Sequence, residues 1–262
     1  MHEYGNTNWE ALWEKLEQNG NVGITHVINP YLYPEITSCL AKNPKSLVVD
    51  FGCGTNIMGI ELLFGYVPTA PALQASAALG EARFNTLLYL GVEGSQELVD
   101  QSRKYLQDIG APKNIATIQA HIGKGLNELF DENSVDLCVS RNFVMHLSPE
   151  DFDAHLGYVA NMLKPGGSYV FATLTPPYEL QKAGADTKPG DRYDFQHGKI
   201  GEYGIFYHYY KPQELYYEAI SKYFLQEKRS TCMPITDAYK DTHARYYNQE
   251  IPMAYVYVLK KK

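Results

Sequence analysis

Short apolar runs ending in an acid or a turn alternate, along most of this chain, with stretches of helical periodicity. Leu47, Val48, Val49 and Phe51 form the first run, with the β-branched and aromatic bias of a buried parallel strand. Residues 86–93 read as a second buried strand, closing on Glu93. The period then changes: within 95–109, Leu98, Val99, Ser102 and Leu106 share one face while Glu97, Arg103, Lys104 and Gln107 lie outside it, which predicts a helix. Residues 115–119, 135–140 and 168–174 supply a third, fourth and fifth strand. Ser148, followed by Pro149, Glu150 and Asp151, starts a helix over 149–163, with a hydroxyl cap, a proline in the first turn and acids at the positive dipole end. Lys164, Pro165, Gly166 and Gly167 stop it. This βα alternation predicts an α/β fold, doubly wound, with a mostly parallel sheet between two helical layers.

The end of the first strand carries the most chemistry. Gly52 and Gly54 let the backbone turn sharply and approach a ligand with no Cβ in the way. A dinucleotide turn would place glycine at position 57, which is Ile57, and Asp50 would repel a diphosphate; the acid suits a ligand with a cationic end. Glu93, at the carboxyl end of the second strand, stands where an acid accepts hydrogen bonds from ribose hydroxyls.

With these segments in place, the chain resembles the class I S-adenosylmethionine-dependent methyltransferases. The likeness runs over about residues 46–175, in ordered pieces at 49–54, 91–94, 134–140, 143–147 and 162–167. It implies a Rossmann-like, seven-stranded sheet with an antiparallel last strand, the sixth and seventh strands falling at 223–232 and 253–259 and a helix at 212–221 before them. It implies S-adenosylmethionine as cofactor, the methionine end held by Asp50, Gly52 and Gly54 within a turn that includes Cys53 and Asn56. Glu93, next to Gly94, would take the ribose and Ile122 would pack on adenine, with His121 or a backbone carbonyl meeting the adenine amino group. Arg141, Asn142 and Phe143 would line the passage from sulfonium to acceptor. Three features depart from the family pattern. Asn56 replaces a third glycine, Ala120 and His121 stand where an acid is common, and Asp50 and Glu93 lie farther apart than the roughly 20 residues usual for such a crossover.

That extra length sits at 65–86, a segment that either borders the cofactor or acceptor pocket or elaborates a remote surface. A helical pattern near the amino terminus (Trp9, Leu12, Trp13, Leu16) predicts a cap helix over the site mouth, with Tyr4, Asn6 or Trp9 reaching the cofactor. At 262 residues without a polar linker, the chain reads as one methyltransferase domain, with a cap region at 1–45, the 65–86 insertion and an acceptor-side lid at 175–211.

Composition narrows the partners. A net charge of −7 and the absence of a lysine track with interleaved aromatics argue against nucleic acid. No apolar run is long enough to cross a bilayer, no secretory leader is evident, and four scattered cysteines form neither a zinc frame nor a disulfide scaffold; cytoplasmic residence as a monomer or homodimer is expected, with no metal. Tyrosine is abundant, at 22 residues, with a dense set after residue 175 suited to a small aromatic or amphipathic acceptor near a sulfonium. If the acceptor is a hydroxyl or an ammonium, a proton must leave, and His197 and His208, with Tyr207 as orienting partner, are the candidate catalytic residues. His146 is a weaker candidate base, and Tyr193 and Tyr203 are further orienting partners. A protein or peptide methyltransferase, or a noncatalytic cofactor-binding partner subunit, are the alternatives.

Overall fold

The computed structural model describes residues 23–43, 45–64, 86–121, 129–194, 207–233 and 251–262. Its elements are α1 (Gly23–Lys42), β1 (Leu47–Phe51), α2 (Ile57–Phe64), β2 (Leu88–Glu93), α3 (Gln96–Asp108), β3 (Ile115–Gln119) and β4 (Val135–Arg141). A short 3-10 turn at Val144–His146 follows, then α4 (Pro149–Met162), β5 (Leu163–Leu174), α5 (Pro176–Ala183), β6 (Arg192–Asp194), β7 (Tyr207–Tyr209), α6 (Gln213–Tyr223), β8 (Phe224–Cys232) and β9 (Ala254–Lys261). Seven strands form one sheet in the order β3-β2-β1-β4-β5-β9-β8, while β6 and β7 pair separately as an antiparallel hairpin. The pairs from β3 through β5 are parallel, and β9 runs antiparallel to both β5 and β8.

Helix caps follow the local chemistry expected of them. Ser95 Oγ accepts from the Leu98 N–H, Ser148 Oγ from Asp151 and Thr175 Oγ1 from Tyr178, each satisfying an amide that the first helical turn leaves open. On α3 the buried residues are Leu98, Val99, Ser102 and Leu106, the face that the periodicity predicts. The fifth strand begins earlier than the sequence suggests, at Leu163: Val135 pairs with Leu163 and Leu137 with Ser168, so Lys164 to Gly167 form a bulge inside the strand instead of a free loop.

Each sheet face carries its own core. Leu137, Val139, Val170 and Val256 share a core with α1, whose Ile28, Leu32 and Ile36 are fully buried, and Val48 and Tyr89 extend that core along the sheet. On the other face Val49, Phe51 and Cys138 meet Phe152, Leu156 and Val159 of α4 and Tyr216 and Ile220 of α6. Burying side chains of this size stabilises the fold by about 1.5–3 kcal/mol each relative to leaving them exposed. Helix α1 forms although Pro30 and Pro34 interrupt its hydrogen-bond ladder, because tertiary burial of its apolar side outweighs the lost amides. It runs antiparallel to β4: just past its last turn Asn43 bonds Asp136 near the start of that strand, and its middle meets Arg141 at the strand's end. Its first turns therefore overhang the carboxyl edge of the sheet.

Candidate active site

The site lies at that carboxyl edge, where strand order reverses between β1 and β4, the position at which open α/β sheets bind ligands. Gly52 and Gly54 have φ of 65° and 56° and are positioned very differently. A Cβ on Gly52 would fall 2.5 Å from the Phe143 ring, whereas a Cβ on Gly54 would meet nothing within 4 Å. The turn is thus closed on the protein side and open at Gly54. Asn56 also takes positive φ, at 64°, and its buried amide donates to Ala116 carbonyl and Thr117 Oγ1, pinning the turn to β3. Gly91 keeps space for that turn, since a Cβ there would lie 2.5 Å from Cys53 Sγ.

Both acids of the sequence reading reach this edge, on the face covered by α1. Asp50 is buried and accepts from Tyr89 Oη at 2.9 Å. Burial pushes its carboxyl up to about 7, against the opposing pull of the Tyr89 hydrogen bond and Arg141. A cation arriving beside it would hold it ionised. Glu93 is half-buried and accepts from the Gly54 N–H and the Ser95 N–H, both at 3.0 Å, so it ties the two turns together. Burial raises its pKa, opposed by those backbone N–H groups. Gly94 lies beside it, close to the ring of the exposed His121.

Arg141 does not line an open passage. Its Nη1 donates to Glu61 Oε2 at 2.8 Å, Asn29 Oδ1 at 3.0 Å and Tyr33 Oη at 3.1 Å, and Tyr33 in turn bonds Glu61. This cluster fastens α1 and α2 to the end of β4 beside the glycine turn. Asn142, at φ 58°, and Phe143 complete the link from β4 to the 3-10 turn. Sequence reasoning missed Asn29, Tyr33 and Glu61. A lone acid within the apolar run Ile57–Phe64 was the available signal for Glu61.

Beyond β4 and β5 a second buried polar group forms. His146 Nδ1 bonds the Tyr207 carbonyl at 2.8 Å, and its ring meets His208 edge-on with centroids 4.8 Å apart; His208 also contacts the Tyr193 ring. Tyr193 Oη donates to Glu179 Oε1 at 3.0 Å, and Lys211 Nζ donates to the Leu147 and Tyr209 carbonyls. Burial drives all four titratable groups toward their neutral forms: His146 to about 4, His208 well down, Glu179 up and Lys211 down. His208 and half-buried Tyr207 are thus on β7, with His208 at 1 % exposure behind the hairpin instead of at an open surface. Tyr4, Asn6, Trp9, Ile122, His197 and Tyr203, and nearly all of the 65–86 insertion, lie outside the described residues.

The residues fit a sulfonium nucleoside. An open positive-φ glycine lets the ligand approach the backbone, a buried acid awaits a cation, and a second acid stands at the end of β2. Asp50 and Gly54 would hold the methionine end and Glu93 the ribose. Among known proteins, residues 74–167 match the family model described as methyltransferase domain. No curated protein sequence matches the chain. The fold is similar to an S-adenosylmethionine-dependent methyltransferase from Mesorhizobium loti, at 20 % identity and a TM-score of 0.58, over 87 % of this chain and 96 % of that one. A Haloferax volcanii structure described as a complex between the Trm112 methyltransferase activator and a methyltransferase aligns at 17 % identity and a TM-score of 0.58, over 98 % of each chain. Geranyl diphosphate C-methyltransferase from Streptomyces coelicolor, solved with S-adenosyl-L-homocysteine, aligns at 14 % identity and a TM-score of 0.53, over 84 % of this chain and 70 % of that one. The matched segment is similar to a methyltransferase domain, and the chain has the fold of these methyltransferases, a Rossmann-like sheet with its last strand antiparallel.

Proposed function

We propose that this protein is a class I S-adenosylmethionine-dependent methyltransferase that transfers the methyl group to a nitrogen or oxygen atom of a small aromatic or amphipathic organic molecule. The observation that carries this reading is the cluster of tyrosines after β5: Tyr178, Tyr193 and Tyr210 are buried in the core, and Tyr207 and Tyr209 lie half-buried on the hairpin. Tyrosine offers a flat apolar surface with a polar tip, which suits a planar acceptor and a neighbouring cation. Residues 175–211 act as the acceptor-side lid of a single domain.

The cofactor supplies a methyl group already activated by its sulfonium. The chain's task is then to align the acceptor, exclude water and receive a proton. His197 or His208 receives that proton and Tyr207 orients the acceptor; burial lowers the His208 pKa, which makes it a poorer proton acceptor. The four cysteines are unpaired, in keeping with a reducing cytoplasm, and among the described residues no helix is long and apolar enough to cross a membrane. The protein works as a monomer or homodimer.

Incubation with donor carrying a deuterated methyl group, against panels of phenols, small amines and peptides, tests this reading by mass spectrometry. Label in a phenol or amine is expected. Label confined to peptides, or binding of the donor with no label anywhere, would contradict it.

A further inference from the structure

The methionine end of the cofactor carries an ammonium and a carboxylate, and each needs partners when it leaves water. Asp50 answers the ammonium. For the carboxylate the glycine turn offers little: the N–H groups of Gly52 and Cys53 donate to the Val92 carbonyl, Gly54 to Glu93 and Asn56 to the Cys53 carbonyl. Arg141 is engaged by Glu61, Tyr33 and Asn29.

One buried donor nearby is unmatched. Asn29, at 3 % exposure on the overhanging half of α1, accepts from Arg141 through Oδ1, and its Nδ2 has no hydrogen-bond partner. Its orientation is not ambiguous, because a guanidinium can only donate, so the oxygen must face Arg141 and the amide nitrogen must face away. Register places Arg141 close to the binding turn: Asp50 pairs with Val139, so the residue two further on lies alongside Gly52, on the same sheet face as Asp50. Arg141 and Asp50 also lie within electrostatic reach of each other. A buried amide left without an acceptor is costly, which is the ordinary sign of a missing partner.

We propose that Asn29 is a binding residue for the carboxylate of the cofactor's methionine end, its side-chain amide donating to that group while Arg141 fixes its orientation. Helix α1 then closes over the amino acid end opposite Asp50. This rests on the cofactor assignment above.

The test compares S-adenosylhomocysteine with its decarboxylated analogue, which keeps the ammonium, by calorimetry on the full chain. Wild type is expected to prefer the carboxylate-bearing ligand by about tenfold or more, as a hydrogen bond to a charged group implies. Asn29→Ala should erase that preference. Asn29→Asp keeps the acceptor for Arg141, and so the helix anchor, but sets a like charge against the ligand; it should reverse the preference. Equal loss of both ligands in Asn29→Asp, or an unchanged preference in both variants, would overturn the role of Asn29. Failure of folded wild type to bind either ligand would instead remove the cofactor assignment itself.

Discussion

Gly52 and Gly54 share a backbone conformation but not an environment, and substitution should separate their roles. Gly52→Ala adds a methyl at positive φ that collides with the Phe143 ring, so thermal stability should fall by about 1–3 kcal/mol. Gly54→Ala meets open space; its stability cost should stay near 1 kcal/mol while S-adenosylhomocysteine affinity drops by tenfold or more, roughly the effect of one blocked contact. Equal stability loss with no change in affinity would contradict an open ligand surface at Gly54. His155 offers a second residue-scale test. It is fully buried between Phe51 and Phe143, bonds Tyr169 Oη at 2.9 Å, and burial lowers its pKa to about 3. A folded pKa below the unfolded value near 6.5 contributes stability that is present above pH 6.5 and lost as pH falls toward 3. The drop in melting temperature from pH 6.5 to 4 should shrink in His155→Phe, and an unaltered slope would count against this burial. The acids and glycines of the turn were legible in the sequence because their chemistry is local. Asn29 and Tyr33 were not, because their partners come from β4 and α2, more than 25 residues away.

Among the elements, those with clean periodicity and caps were read almost to the residue, as α3 and α4 illustrate. Helix α1 was not anticipated, since two prolines break its local signal and only packing on β4, β5, β8 and β9 sustains it. The β6–β7 hairpin escaped notice because its three-residue strands lie within a tyrosine-rich stretch with no clear alternation. The Arg141–Glu61 pair is the joint between α1, α2 and β4. Arg141→Met leaves Glu61 as a buried, uncompensated charge and should cost about 3–5 kcal/mol in chemical denaturation. Adding Glu61→Leu should recover much of that loss. Simple additivity of the two changes would show that the pair does not join these elements.

At the scale of the molecule, the strand order brings Asp50, Glu93 and the end of β4 to one edge, although 43 and 91 residues of chain separate Asp50 from Glu93 and Arg141. The topology expected from the βα alternation and the family likeness is the topology observed, with the antiparallel strand last in the chain. What the sequence could not supply was the packing of the acceptor side, where buried Glu179, Lys211, His146 and His208 balance one another through contacts between distant segments. Everything proposed for the chemistry depends on a sulfonium nucleoside lying across the tips of β1 and β2. Calorimetric titration of S-adenosylhomocysteine into the folded protein, beside the Asp50→Ala and Glu93→Ala variants, measures this directly. One site per chain in wild type, weakened at least tenfold in each variant while both remain folded, is expected. Well-folded wild-type protein that takes up none of the compound, or variants that bind it as tightly, would contradict the assignment.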